Sequence, residues 1–277
     1  MFIPLPLLIW GLAVGLPGSS PPPQVVHGLI VAPDTLDPAW VSTALGDSIA
    51  PWRKVHFGGG GTTEFERAHR GGCTCLLVRS ESDATALVQR REVVLDSTPV
   101  LAWSWWVERT VEAGDMSRRE AEDAAARVYV TFALPDSGVS FGQRLRYRLG
   151  RLRYGDDLPG SSIMYVWAHG EEVGIELDSP YSERVRTVVL RNANDVGGGW
   201  RGEVRDVSDD YRRLFGADPP EVTGVGIMSD SDNTGGRGEA CYQPILFSSP
   251  LPPAPQEAWA AGSGAPWVQW LFLAPRP

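Results

Sequence analysis

Hydrophobic and polar residues alternate with a period of two through most of the chain between residues 51 and 249. In LAWSWWV (residues 101–107), the leucine, the first two tryptophans and the valine fall on one face, and Ala102, Ser104 and Trp106 fall on the other. This spacing is typical of a β-strand, in which successive side chains point to opposite sides. Similar runs, bounded by Gly, Pro, Asp or Asn, occur at 53–57, 73–78, 86–95, 127–133, 163–168, 184–190, 221–228 and 241–247. About nine strands predict an all-β fold, two antiparallel sheets packed as a sandwich of the jelly-roll type.

Helix-forming patterns are scarce, and we expect one or two short helices. In SDDYRRLFGADPP (208–220), Ser208 is a suitable N-cap, and the two aspartates after it lie at the positive end of a helix dipole. Gly216 is a suitable C-terminal stop. The segment SRREAEDAAA (117–126) also contains good helix formers.

The two ends of the chain differ in composition from its centre. An apolar run from Phe2 to Leu16 is too short for a membrane span and is followed by small residues, so residues 1–20 are predicted to be a signal peptide, although no basic residue precedes the run. Residues 21–50 form a polar, proline-containing approach to the domain at 51–249, and residues 250–277 form a Pro/Ala-rich tail that we expect to be poorly ordered. These features predict an exported protein, periplasmic or extracellular, with no membrane span in the mature chain.

The net charge of the chain excludes one class of binding partner. A net charge of −9 argues against nucleic acid as a partner, because binding to phosphates depends on lysine and arginine.

Only three cysteines are present. Cys73 and Cys75 would share one face of a strand, and either one reaches Cys241 if the first and last strands are neighbours. Three buried thiols are the simpler alternative and the one the sequence favours.

The segment GIMSDSDNTGG (226–236) contains the most suggestive polar residues of the chain. Counted as an EF-hand loop from Asp230, position 12 is Cys241, so the closing carboxylate is missing. The sequence therefore predicts no metal and no cofactor, with calcium in a different geometry as an alternative. A turn in which Asp and Asn side chains bond the following amides is favoured. Asp230, Asp232 and Asn233 remain candidates for ligand binding.

Two further groups are candidate binding residues. The segment QRLRYRLGRLRY (143–154) is predicted to be a strand, with Arg144, Arg146 and Arg148 on one face for an anionic polymer. A solvated strand face is the simpler interpretation of these arginines. A second group contains aromatic residues whose exposed ring faces would stack on sugars, while core packing is the simpler interpretation. Its members are Tyr165, Trp167 and Trp200.

Five blocks of sequence resemble the bacterial family of unknown function numbered 3047. They are LAWSWWV, AEDAAARVYVTF, IMYVWA, GGGWRGEVRDVSDDYRRLFG and VTGVGIMSDSDNTGG…ACYQPILF, in this order within about 52–247. The resemblance implies an extracytoplasmic β-sandwich and no established activity. The final strands are also similar to those of carbohydrate-binding and galactose-binding-like jelly rolls, a likeness of fold alone.

These observations favour a non-catalytic module that binds carbohydrate or another envelope component. One alternative is a hydrolase or lyase acting on glycans, with Asp123, Asp230 and Asp232 as its acids. A structural envelope protein is the other alternative.

Overall fold

The computed structural model describes residues 24–26, 29–31, 52–135, 138–154 and 158–250. The predicted signal peptide (1–20) and nearly all of the predicted tail lie outside these residues. Within the described parts of the chain, no helix combines the length and the hydrophobicity needed to cross a membrane.

The described residues form mainly β-strands, as the alternation predicts. The strands are β1 (Gln24–Val26), β2 (Leu29–Val31), β3 (Trp52–Arg70), β4 (Cys73–Val93), β5 (Val100–Arg109), β6 (Ala124–Phe132), β7 (Ser161–Trp167), β8 (Glu176–Ser179), β9 (Ser182–Arg191), β10 (Arg201–Asp206), β11 (Val222–Asp230), β12 (Arg237–Tyr242) and β13 (Leu246–Ser248). β1 and β2 pair with each other, and the other eleven strands form one hydrogen-bonded sheet. Its pairs are antiparallel except for β7 and β9. The predicted all-β class is confirmed.

β4 connects the two halves of this sheet. One edge of β4 pairs along its length with β3, and the other edge pairs first with β12 and then with β11. From β11 the sheet continues through β6, β7 and β9 to β8, and from β12 it continues through β5 to β10. The predicted sandwich is therefore realised as one continuous sheet and not as two separate ones. β11 and β12 diverge at residues 231–236, a position that we call the fork.

The two halves pack face to face through aromatic rings. Trp103 and Trp105 on β5 contact Tyr165 and Trp167 on β7, with ring centroids 5.3 and 5.8 Å apart respectively. β5 and β7 are not hydrogen-bonded neighbours, so these contacts arise because the sheet curls over itself. The buried core lies between the two inner faces.

The helices agree only in part with the prediction. α2 (Val207–Phe215) lies at the predicted place and ends at Gly216, whose φ is 68°, but Asp206 is its N-cap, accepting from the Asp209 amide. The predicted helix at 117–126 is wrong, since only residues 119–121 form a 3₁₀ turn before β6 begins. A second 3₁₀ turn spans residues 193–195.

The predicted arginine strand is also wrong, because Phe141–Tyr154 forms a helix, α1. The segment contains leucine and arginine, which are good helix formers, and no β-branched residue. A helix turns by about 100° per residue, so residues two apart do not share a face. Arg144, Arg146 and Arg148 therefore do not form one stripe.

A disulfide joins Cys75 to Cys241 across two neighbouring strands, with the Cα atoms 5.7 Å apart. In the β4–β12 ladder Cys241 faces Leu77, so Cys75 is its diagonal neighbour on the same face. Cys73 is buried and free of a disulfide. The sequence left the partner of Cys241 open and favoured three thiols, and that preference is corrected here.

Candidate functional site

The fork is held in place by a carboxylate from another strand. Asp123, which directly precedes β6, accepts hydrogen bonds from the amides of Asn233 (3.2 Å) and Thr234 (2.8 Å) and from the Thr234 hydroxyl (2.6 Å). The Asn233 side chain donates to the Tyr181 hydroxyl at 2.7 Å. The amides of Asn233 and Thr234 thus donate to Asp123, which corrects the prediction of a turn closed by its own side chains.

Three aspartates meet at the fork. One carboxylate oxygen from each of Asp123, Asp230 and Asp232 lies within 4.8 Å of the others. Asp123 is 1% exposed and Asp230 is 5% exposed, whereas Asp232 is half-buried. These are the three residues named above as acids of the hydrolase alternative. The structure brings them together, with two of the three buried.

One buried arginine faces this group. Nη2 of Arg127 lies 2.9 Å from Asp230 Oδ2 and also donates to the Glu122 carbonyl, and Nη1 lies 3.8 Å from the Glu122 carboxylate. Burial alone would lower the pKa of Arg127, but Asp230 and Glu122 outweigh it and raise that pKa. Burial also raises the pKa of Glu122, against the attraction of Arg127.

Asp230 is the most perturbed acid of the group. Its pKa is raised to about 8, mainly by burial and also by the neighbouring Asp123 and Asp232, against the attraction of Arg127. A single guanidinium therefore does not compensate the surrounding carboxylates. Oδ1 of Asp230 is buried and has no hydrogen-bond donor among the described residues.

This raised pKa predicts how stability depends on pH. The folded state binds the Asp230 proton more tightly than the unfolded state does. The stabilisation of the fold by this proton is therefore complete below about pH 4 and is lost as pH rises to about 8. The free energy of unfolding should fall by up to about 1.4 kcal/mol per pH unit within this range. Urea unfolding of the wild-type chain and of Asp230→Asn at several pH values measures the effect. Parallel pH profiles for the two proteins would contradict it.

A second polar site is an open groove of about 470 Å³ on the half of the molecule that carries β8, β9, β10 and α2. Strand β10 contributes two residues from one face, and α2 contributes two residues three positions apart. The charged lining residues are Glu176, Arg191, Glu203, Arg205, Asp210 and Arg213. Val173 adds exposed apolar surface, and the β9 residues Val188–Leu190 are buried beneath the groove.

The charged side chains of the groove form paired networks. Arg191 donates to both oxygens of Glu203, at 2.7 and 3.3 Å, and Arg205 donates to both oxygens of Asp210, at 2.8 and 2.5 Å. Arg213 bridges Asp210 and Glu176. Burial alone would lower the pKa of Arg205, but Asp210 raises it above its usual value, so the guanidinium stays charged. The groove thus presents three guanidinium donors and three carboxylate acceptors, whose charges balance.

The aromatic residues predicted to stack on sugars do not form one surface. Tyr165 and Trp167 are fully buried, since β7 is covered on both faces, so the prediction of exposed rings is wrong for these two. Tyr165 instead supports the groove from below: its hydroxyl donates to Asp210 Oδ2 at 2.7 Å, and Arg205 lies over its ring. Burial raises the pKa of this hydroxyl well above its usual value, so it remains a donor.

Trp200 lies elsewhere, next to the disulfide. Its ring meets Trp106 edge-on with centroids 5.9 Å apart, and its indole NH donates to the Arg70 carbonyl at 2.9 Å. Trp106 and Trp200 together pack on Cys75, Leu77 and Cys241. This is the opposite face of β5 from Trp105, whose indole NH donates to Glu203 in the groove. The three aromatic candidates are thus not brought together.

Comparison with known families matches residues 50–246 to the family described as "Protein of unknown function (DUF3047)". The chain belongs to this family. The match spans both the fork and the groove of the DUF3047 protein, in agreement with the resemblance seen in its sequence blocks. No curated protein matches the chain.

Several solved structures align weakly with the DUF3047 protein. A family 11 carbohydrate-binding module from Clostridium thermocellum aligns at 9% identity and a TM-score of 0.36, covering 74% of this chain and 92% of the module. The xyloglucanase domain of NopAA from Sinorhizobium fredii aligns at 12% identity and a TM-score of 0.38, with coverages of 72% and 93%. Endoglucanase 3 from Trichoderma harzianum aligns at 9% and 0.37, with coverages of 71% and 98%. At these scores the alignments support no inference about function.

Proposed function

We propose that the protein is an exported module that binds neutral carbohydrate in the groove, without catalysis. The observation that carries this proposal is the balance of three arginines and three carboxylates along one open surface. Each sugar hydroxyl both donates and accepts hydrogen bonds, so it is matched by alternating guanidinium and carboxylate groups that are already oriented by each other. A strongly charged ligand would meet as many repulsive groups as attractive ones.

The state of the groove acids supports binding over hydrolysis. Glu203 and Asp210 each accept two hydrogen bonds from an arginine, and each also accepts one from a buried aromatic residue. A general acid for glycoside cleavage needs an oxygen directed at the substrate, whereas both oxygens of each of these carboxylates are already engaged by these contacts. The other acids considered lie at the fork, and none of them lines the groove.

Export is part of the proposal. The Cys75–Cys241 disulfide joins residues 166 positions apart in sequence. Such bonds persist in oxidising compartments and are rare in the cytosol, which supports a periplasmic or extracellular location. An envelope polysaccharide is then a ligand that the module would meet.

A pair of adjacent arginines gives a matched test of the groove. Arg213 contacts Asp210 and Glu176 in the groove, while Arg212 pairs with Asp209 and Asp218 outside it. Their side chains are 42% and 50% exposed, so neither substitution removes a buried group. We expect Arg213→Ala to weaken carbohydrate binding by about tenfold or more, the effect of losing one charged hydrogen bond, and Arg212→Ala to leave it unchanged.

Affinity electrophoresis through gels containing neutral polysaccharides, such as xyloglucan, mixed-linkage β-glucan, mannan and galactan, measures this binding. An anionic polymer, alginate, is included for comparison. Retardation by none of the neutral polymers, retardation by alginate alone, or equal retardation of wild type and Arg213→Ala would each refute the proposal.

A further inference from the structure

The three aspartates at the fork have the geometry of a cation site. Their oxygens lie within 4.8 Å of one another. Oxygens on opposite sides of a calcium ion lie about 4.6–5.2 Å apart, twice the usual bond length. Three oxygens this close lie no more than about 2.8 Å from a common centre, so a small shift of the side chains brings all three within bonding distance of one ion.

A second observation points to a missing positive partner. Only 5% of Asp230 is exposed. Its Oδ1 has no hydrogen-bond donor among the described residues, while its Oδ2 pairs with Arg127. A buried carboxylate oxygen without a donor or a cation is costly, so such atoms are rare in folded proteins. The Asp230 carboxylate lies against that of Asp232, which offers no proton donor when both are ionised.

Asp123 has room for one further interaction. Its carboxylate already accepts three hydrogen bonds, all from the loop at the fork. A carboxylate has about four acceptor positions, so one remains. The hydrogen bonds also fix its orientation, as partners of metal ligands commonly do.

The balance of charge favours a divalent ion. Arg127 is the one buried cation described beside Glu122, Asp123, Asp230 and Asp232. The group therefore carries an excess of negative charge when its acids are ionised. All the available side-chain ligands are carboxylate oxygens. Such ligands suit hard cations better than softer transition metals.

We propose that Asp123, Asp230 and Asp232 bind one calcium ion at the fork. Calcium accepts six to eight oxygens in flexible geometry, so three carboxylates leave several positions for water or backbone carbonyls. Magnesium demands shorter bonds and a stricter octahedron, which three carboxylates already fixed by other contacts provide less readily. The ion would tie the start of β6 to the end of β11 and to the loop, and so fix the point at which the two halves of the sheet diverge. This site does not depend on the proposed carbohydrate binding.

The test combines calorimetric titration with thermal unfolding of the chelator-treated full chain. Wild type should bind calcium with a stoichiometry of one, and about 10 mM calcium should raise the midpoint of unfolding by roughly 3–10 °C, with a smaller rise for magnesium. Asp232→Asn should abolish the rise. Because Asp232 is half-buried and the substitution removes a repulsive charge, this variant should fold and should melt no lower than wild type in chelator.

Asp218→Asn is the matched control, since that carboxylate is exposed and lies outside the fork. It should retain the full response to calcium. Equal midpoints of wild type in calcium and in chelator, no binding in the calorimeter, or an equal calcium response in Asp232→Asn would each overturn the proposal. A larger response to magnesium than to calcium would overturn the choice of ion.

Discussion

Arg127→Met is expected to lower the free energy of unfolding by about 3–5 kcal/mol, the largest effect of any single substitution considered. Arg127 is 3% exposed and is the positive partner of Asp230 and Glu122. Methionine fills a similar volume, so the loss arises mainly from carboxylates that stay buried without compensation. Removal of one member of a buried ion pair is costly for this reason, even where the intact pair contributes little.

Urea unfolding followed by tryptophan fluorescence measures this loss above about pH 8 in chelator, where the Asp230 carboxylate is ionised. Arg237→Met is the control, because Arg237 forms an exposed pair with Glu81 and should contribute no more than about 1 kcal/mol. A value for Arg127→Met within 1 kcal/mol of the control would show that the carboxylates are neutral or solvated, and the charge argument for the fork would fail.

Loss of the Cys75–Cys241 disulfide is expected to lower the free energy of unfolding by about 2–5 kcal/mol. The bond closes a loop with a sequence separation of 166, so it strongly restricts the unfolded chain. It also links β4 to β12 beneath Trp106 and Trp200. We expect the double variant Cys75→Ala/Cys241→Ala to melt well below wild type.

Cys73→Ala serves as the control, since Cys73 is outside the disulfide. Dithiothreitol should lower the unfolding midpoint of wild type and of Cys73→Ala, and leave that of the double variant unchanged. A wild-type midpoint insensitive to reduction, with the thiols shown to be released, would contradict the prediction.

The strands were predictable because alternation depends only on neighbouring residues. The period of two located most of them, yet residues 73–78 and 86–95 appeared as two strands where the structure has one, β4. The polar run RSESDA between them resembles a turn. In the structure it is the bend of a continuous strand at the fork, where Ser82 has a φ of 50° and its amide donates to the Gly236 carbonyl. Only tertiary pairing distinguishes these two outcomes.

Burial on both faces explains the error over the aromatic residues. Tyr165 and Trp167 alternate with Met164 and Val166, but all seven residues of β7 are buried. Alternation assigns residues to faces without saying which face is open to solvent. Trp200 lies directly before β10, and its contact with the disulfide depends on a cysteine pairing that the sequence left open.

The candidate sites were predictable only in part. Asp230 and Asp232 were identified from their spacing, but their meeting with Asp123 depends on strands separated by more than 100 residues. The role of Arg127 was not predicted, because a single arginine in AAARVYV is typical of an outward-facing position on a strand. The groove was missed for a similar reason: Glu203 and Arg205 alternate with Val204, as on any solvated strand, and their partners come from α2 and β9.

The position of β4 determines how this chain can be divided. Because β4 completes both halves of the sheet, no cut between β11 and β12 yields two fragments that each possess all of their strands. A fragment without β4 would expose the unpaired edge of either β11 or β12. An exposed edge of this kind favours pairing with a strand of another molecule. We therefore expect the two halves to unfold as one cooperative unit, with the backbone amides around the fork exchanging only when the whole unit opens.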